Sequence, residues 1–302
     1  MSSIDRKLAN VSRLQLVFLS ATWLAGIYVN GFVPIVPGMT TESILLNPAV
    51  ESHVVVATLS AATSVFIVSL AWVNGQRRST ALSLLAVFSI VLAGDSGIDF
   101  VLGGGSGSAE SMMMASAFVT AVFLTFLSMA NTKTDGGSLE SRGAPRGRLG
   151  ERTPLLLCSV ALLLFYSVFI SGIYVNLFVA GPVFSLPLGL EPAAFAQAEH
   201  SAAFVAHEAF GVALLVTLAL FTVSLWSSGA RMLSLVSAVP ASLVAYSAYV
   251  GSLNLTSPPV SAASSSGVLS VLTPMLSSAG FMAATVVTML LALRIRTNGH
   301  AS

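Results

Sequence analysis

Eight stretches of this chain are continuous apolar runs of about twenty residues or more, at 14–34, 53–74, 81–103, 110–130, 154–179, 200–226, 232–253 and 268–294. About 30 Å of hydrocarbon needs near twenty helical residues to cross, so each run is long enough to span a bilayer. Spanning strands would read as alternating segments of roughly ten residues, and these runs neither alternate nor stop that early. The sequence therefore predicts an all-α polytopic membrane protein with eight transmembrane helices.

Composition agrees with that reading. Of the 302 residues, 55% are hydrophobic and 8% charged, with a mean hydropathy of +0.89, whereas a soluble domain carries roughly 25% charged residues. No glycine-rich phosphate loop follows a strand, and Gly103-Gly104-Gly105 reads as an outer turn. Nothing points to a nucleotide or nucleic-acid partner; the lipid bilayer is the partner the composition demands. The single cysteine, Cys158, lies in an apolar run and has no intrachain partner for a disulfide.

Lys and Arg collect in short cytoplasmic loops, and here all thirteen fall on one predicted side. Arg6, Lys7 and Arg13 precede or open the first run, Arg77 and Arg78 follow the second, and Lys133, Arg142, Arg146, Arg148 and Arg152 follow the fourth. Arg231, Arg294 and Arg296 complete the set. The other side has Glu42, Glu51, Asp95, Asp99, Glu110, Glu191 and Glu199 and no cation. Both termini are expected in the cytoplasm, in a cell membrane with an acidic outer protein face. A basic N-region before an apolar run resembles a signal peptide, but an internal repeat argues that the first run is a retained helix.

The repeat is direct. Gly26-Ile27-Tyr28-Val29-Asn30-Gly31-Phe32-Val33 returns 146 residues later as Gly172-Ile173-Tyr174-Val175-Asn176-Leu177-Phe178-Val179. His53 precedes Trp72 by nineteen residues, as His207 precedes Trp226, and each Trp closes a Val-Ser-Leu stretch before arginines. Met113, Ser116 and Ala117 pair more loosely with Met275, Ser278 and Ala279. Four helices per copy, an even number, give both copies the same sense in the membrane. The expectation is two tandem four-helix bundles related by a pseudo-twofold along the membrane normal. Residues 1–130 form the first half and 154–302 the second. Residues 131–153, rich in Gly, Arg, Ser and Pro, read as a flexible cytoplasmic linker. The largely apolar loops 35–52 and 180–199 read as lids over the outer face.

Ionisable groups in a membrane span are costly, and a functional role is their first hypothesis. His53 and His207 hold matching places near the outer edge of the hydrocarbon, and an imidazole there can ligate a haem iron while its other nitrogen is held by a carbonyl or carboxylate. The plainer reading is a histidine capping its helix or bonding a loop. If 200–226 is one helix, His200 shares the stripe of His207, one to two turns further out, as an orienting group or a solvated one. Glu208 points about 100° away from His207, toward a hydroxyl or tyrosine on a neighbouring helix or into proton transfer. Met113 and Met275 are thioethers, which can serve as axial ligands or simply fill space.

Eight helices in two similar halves, a Gly-x-Tyr-Val-Asn at the outer end of each first helix, and a long outer loop before a histidine that opens the next helix resemble the haem A synthase family. The resemblance covers residues 14 to 294 as architecture. It implies haem-ligating histidines in the second and sixth helices, which are His53 and His207, and an acidic residue ahead of the first, near Glu51. It implies haem b as cofactor, and a link to aerobic respiration beside a respiratory oxidase. The family's partner histidines in the fourth and eighth helices are absent; Met113 and Met275 stand in that neighbourhood. The family's reaction, oxidation of a haem methyl group, is therefore not implied as surely as its fold, and whether the chain is an enzyme stays open, with Glu51 and Glu208 as the catalytic candidates. Two alternatives stand beside it: a non-catalytic integral subunit of a respiratory complex, and a small-molecule transporter with parallel repeats.

Overall fold

The computed structural model describes residues 3–33, 40–102, 108–131, 149–180, 200–256 and 265–298. Every regular element among them is helical. In chain order these are α1 (Ser3–Phe32), the short α2 (Thr41–Leu45), α3 (Pro48–Val73), α4 (Arg77–Leu102), α5 (Ser108–Asn131) and α6 (Leu149–Tyr174). A π-helical turn, Val175–Ala180, extends α6. Then come α7 (Ala202–Ser227), α8 (Arg231–Thr256) and α9 (Ser265–Asn298). All but α2 and the π-turn are long and apolar enough to cross a membrane, eight spans in all. The protein is a multi-pass membrane protein of all-α fold.

Local sequence explains where the helices begin and end. Asn47 caps α3 by accepting from the Ala49 N–H, and Pro48 follows at the first helical position, where its missing N–H costs nothing. The helix therefore starts five residues before the predicted 53, because capping rather than hydropathy sets the boundary. Ser201 caps α7 by accepting from the Phe204 N–H, so that helix starts at Ala202 instead of 200. After α3 the chain turns at Gly75, φ +66°, and after α7 at Gly229, φ +80°, both in the left-handed region that suits glycine. The Gly75 N–H donates to the Trp72 carbonyl and the Gly229 N–H to the Trp226 carbonyl, and the flanking bonds match in kind. Arg231 stacks its guanidinium 5.7 Å from the Trp226 ring centre.

Packing follows sequence order. Helix α1 lies against α3, α3 against α4, α4 against α5, and α5 against α1; likewise α6, α7, α8 and α9 close on one another. Between these sets, α1 packs on α9 and α5 on α6. Trp23 sits at that junction, stacked on Phe118 and edge-on to Phe169, both with ring centres 5.7 Å away. Its indole N–H donates to Ser278 Oγ at 3.2 Å. Phe169 and Phe165 continue the aromatic contact onto Phe281 of α9, and the Tyr166 hydroxyl pairs with Thr120 Oγ1 at 3.1 Å. A large share of outward side chains are apolar, among them Val17, Phe66, Phe88, Val216 and Leu220. In water that surface would be an association liability; in hydrocarbon it is the expected exterior.

Of the predicted linker, residues 132–148 lie outside the described residues, while Leu149 already begins α6. The first outer loop includes α2, whose N-cap Thr40 accepts from the Ser43 N–H. Most of the second, 181–199, lies outside the described residues.

Candidate functional site

The Gly-Ile-Tyr-Val-Asn repeat and the paired histidines, separate signals in the sequence, meet in space. A Cβ placed on Gly26 of α1 would stand 3.1 Å from His53 Cε1, 3.6 Å from Nδ1 and 3.8 Å from Nε2. On Gly172 of α6 the same construction gives 2.9, 3.5 and 3.6 Å to the matching atoms of His207. In both places the nitrogen-bearing edge of an imidazole lies on the helix backbone where only a glycine hydrogen leaves room. Small residues let membrane helices approach closely, and here the space admits a ring.

The carbonyl four residues before each glycine completes the arrangement. His53 faces the Thr22 carbonyl, though its Nδ1 misses hydrogen-bond geometry; His207 faces the Val168 carbonyl. Beyond this the two differ. Ser171 Oγ lies 2.9 Å from His207 Nδ1, whereas residue 25, in the corresponding place, is Ala25 and has no hydroxyl to offer. Ser171 Oγ also reaches the Ser167 carbonyl at 2.7 Å and the Val168 carbonyl at 3.2 Å; when its proton goes to either, its oxygen accepts from His207 Nδ1–H, the tautomer in which Nε2 presents a lone pair.

The other sequence candidates are not brought into this arrangement. His200 precedes the Ser201 cap, outside the helix and exposed, so it does not share the stripe of His207 as a continuous helix from 200 would require. Glu51 and Glu208 are exposed on α3 and α7, and Glu208 has no tyrosine or hydroxyl partner among the described residues. Met113 is 46% exposed on the outside of α5; its neighbour Met114 turns inward instead, with Sδ 3.2 Å from a Cβ position on Gly97. Met275 belongs to α9, and its side chain lies outside the described residues. No three His, Cys, Asp or Glu side chains among the described residues gather as a metal-ion cluster would require.

The sequence reading did not single out Gly26 and Gly172 within the repeat as the places where the histidines sit, nor Ser171 as a partner of His207. A signal did exist: in antiparallel neighbours, the position that matches in both copies is the one that meets the matching histidine.

Compared with known proteins, the chain matches no protein-family model and no curated sequence.

Proposed function

We propose that this chain is a haem-binding integral membrane protein of haem A synthase-like design, built as two tandem four-helix halves. Each half presents one imidazole near the outer face. The observation that carries this reading is the paired glycine and imidazole, with Ser171 Oγ within 2.9 Å of His207 Nδ1 in the second half. A neutral imidazole oriented through its other nitrogen is the form in which histidine ligates iron.

The donor set fits haem b through its histidines only. His207 and His53 would each hold one haem iron, one haem per half. Met113 is 46% exposed on α5, so the reading rests on the histidines rather than on a His/Met pair. Bound haem would supply one-electron redox chemistry; the chain's own part is to orient the imidazole and to exclude lipid and water from it. Glu51 and Glu208, both exposed, are the remaining candidates for proton exchange at the outer edge.

The pseudo-twofold is supported by equal helix lengths and shared punctuation. Helices α3, α4, α7 and α8 each have 26 residues, with caps at Asn47 and Ser201 and turns at Gly75 and Gly229. Trp23 and Phe169, 146 residues apart like the two repeat motifs, touch each other at the junction, as residues flanking a twofold axis must. Ser116, matched to Ser278 by the looser Met-Ser-Ala pairing, has its oxygen buried without a partner, whereas Ser278 accepts from Trp23.

The exposed Met113 and the acidic outer face also favour a second reading, a non-catalytic subunit of a respiratory complex that docks a basic partner from outside. Visible spectra of protein purified from haem-replete cells separate the two. On the haem reading the wild type shows a Soret band, His207→Ala loses or shifts it markedly, and His200→Ala leaves it nearly unchanged. A wild type without a Soret band rejects haem and leaves the subunit reading.

A further inference from the structure

Helices α3 and α7 both end on a tryptophan, and in the second half that tryptophan carries an arginine. Trp226 is the last residue but one of α7 and is 55% exposed. Five residues on, past the Gly229 turn, Arg231 opens α8, and its guanidinium lies 5.7 Å from the centre of the Trp226 ring. Trp72 and Arg77 have the same spacing in the first half, yet among the described residues no cation and ring meet there.

A guanidinium above a ring uses only its flat face in the contact, so its N–H edge stays open to an acceptor. Among the described residues no ion pair or side-chain hydrogen bond of Arg231 takes that edge. Along α7 from the same place, Val223, Leu220 and Val216 are each more than half exposed. With Trp226 they recur every three or four residues, which puts them on one outward stripe of the helix. The 26 residues of α7 rise about 39 Å, against about 30 Å of hydrocarbon, so the ends of the helix reach the headgroups. The stripe therefore meets acyl chains, and Arg231 stands at its foot as a cation at phosphate level.

We propose that the α7–α8 turn is a site for one anionic phospholipid. The N–H edge of Arg231 takes two phosphate oxygens, the Trp226 ring backs the guanidinium, and an acyl chain lies along Val223, Leu220 and Val216. A planar guanidinium matches phosphate oxygens two at a time. A zwitterionic lipid offers the same phosphate with an ammonium attached, so the site favours a headgroup of net negative charge. The arginine-bearing side as a whole attracts such lipids; what this turn adds is a guanidinium already in place before the lipid arrives. Trp226 lies nineteen residues of helix from His207, about 28 Å, and the inference does not depend on haem.

Tryptophan fluorescence of the full chain in phosphatidylcholine vesicles tests it. Trp72→Phe leaves Trp226 as the lipid-facing reporter, since Trp23 is packed between Phe118 and Phe169. A fixed minor share of the lipid is dibrominated phosphatidylglycerol or, in the matched sample, dibrominated phosphatidylcholine; bromine quenches an indole only at close range. At equal share the brominated phosphatidylglycerol should quench Trp226 several-fold more strongly. Arg231→Gln should bring the two lipids level, whereas Arg13→Gln, which removes the same charge from an exposed place on α1, should leave the difference intact. Quenching by brominated phosphatidylcholine reports that each variant is inserted. Arg231→Lys, which keeps the charge without the planar fork, should narrow the difference and decides the matter if Arg231→Gln does not insert. Inorganic phosphate at millimolar concentration should not relieve the quenching. Equal quenching by both lipids before any change at Arg231, a difference that no inserted Arg231 variant reduces, its loss in Arg13→Gln, or relief by inorganic phosphate overturns the proposal.

Discussion

Gly26 and Gly172 are small because an imidazole occupies the place of their side chains. The two contacts are not equally tight: the hypothetical Cβ meets His207 Cε1 at 2.9 Å and His53 Cε1 at 3.1 Å. Gly172→Ala must turn the His207 ring off Ser171, whereas Gly26→Ala asks His53 to yield by a few tenths of an ångström and breaks no hydrogen bond. Overpacking typically costs about 1–3 kcal/mol. The expected outcome is a lower melting temperature for both variants in detergent, with Gly172→Ala the more damaging. Equal losses would mean that the ring is free to move in both halves. A related difference is Ser171 against Ala25: Ser171→Ala leaves His207 in the condition of His53, at a cost of about 0.6 to 2 kcal/mol for an interhelical hydrogen bond in a membrane.

At the scale of elements, repeated punctuation makes repeated helices. Glycine at positive φ closes both the α3–α4 and the α7–α8 turns, so Gly75→Ala and Gly229→Ala should each destabilise by about 1 kcal/mol or more, and by similar amounts. Unequal losses, measured by thermal unfolding of the two variants, would show that the turns are not equivalent. Most of this level was legible in the sequence, since eight apolar runs gave eight spans with most ends within about five residues; the largest miss is α1, which begins at Ser3 rather than 14. Asn47 and Ser201 start their helices by hydrogen bonding, which a hydropathy window does not register. That same shift takes His200 out of the helix and away from His207. The site was half legible. The histidines stood out as ionisable groups in apolar runs, but the ring-on-glycine contact and the Ser171 bond depend on how α1 and α6 rotate against their neighbours. Neither pattern nor propensity specifies that rotation. Met113 shows the same limit: its side of α5 was not deducible.

For the whole molecule, the charge distribution predicts an orientation, since all thirteen cations fall on the side expected to hold the termini. Cysteines introduced at Ser138 and Ser227 should resist impermeant thiol reagents applied to intact cells, and one at Ser106 should react. Labelling at Ser138 from outside would reverse the assignment and, with it, the side on which the histidines stand. Gln15, Thr22, Ser60 and Ser64 meet between α1 and α3, whereas Ala161, Val168, Leu214 and Leu218 at the repeat-related positions belong to one apolar cluster. The central claim is that the imidazoles of His53 and His207 each hold a haem. The direct measurement is the ratio of haem to polypeptide in wild type and variants, from a pyridine haemochrome assay against protein concentration. The account predicts two b-type haems per chain, one in either His53→Ala or His207→Ala, and none in the double variant. A wild-type ratio near zero, or one that neither substitution lowers, would contradict it.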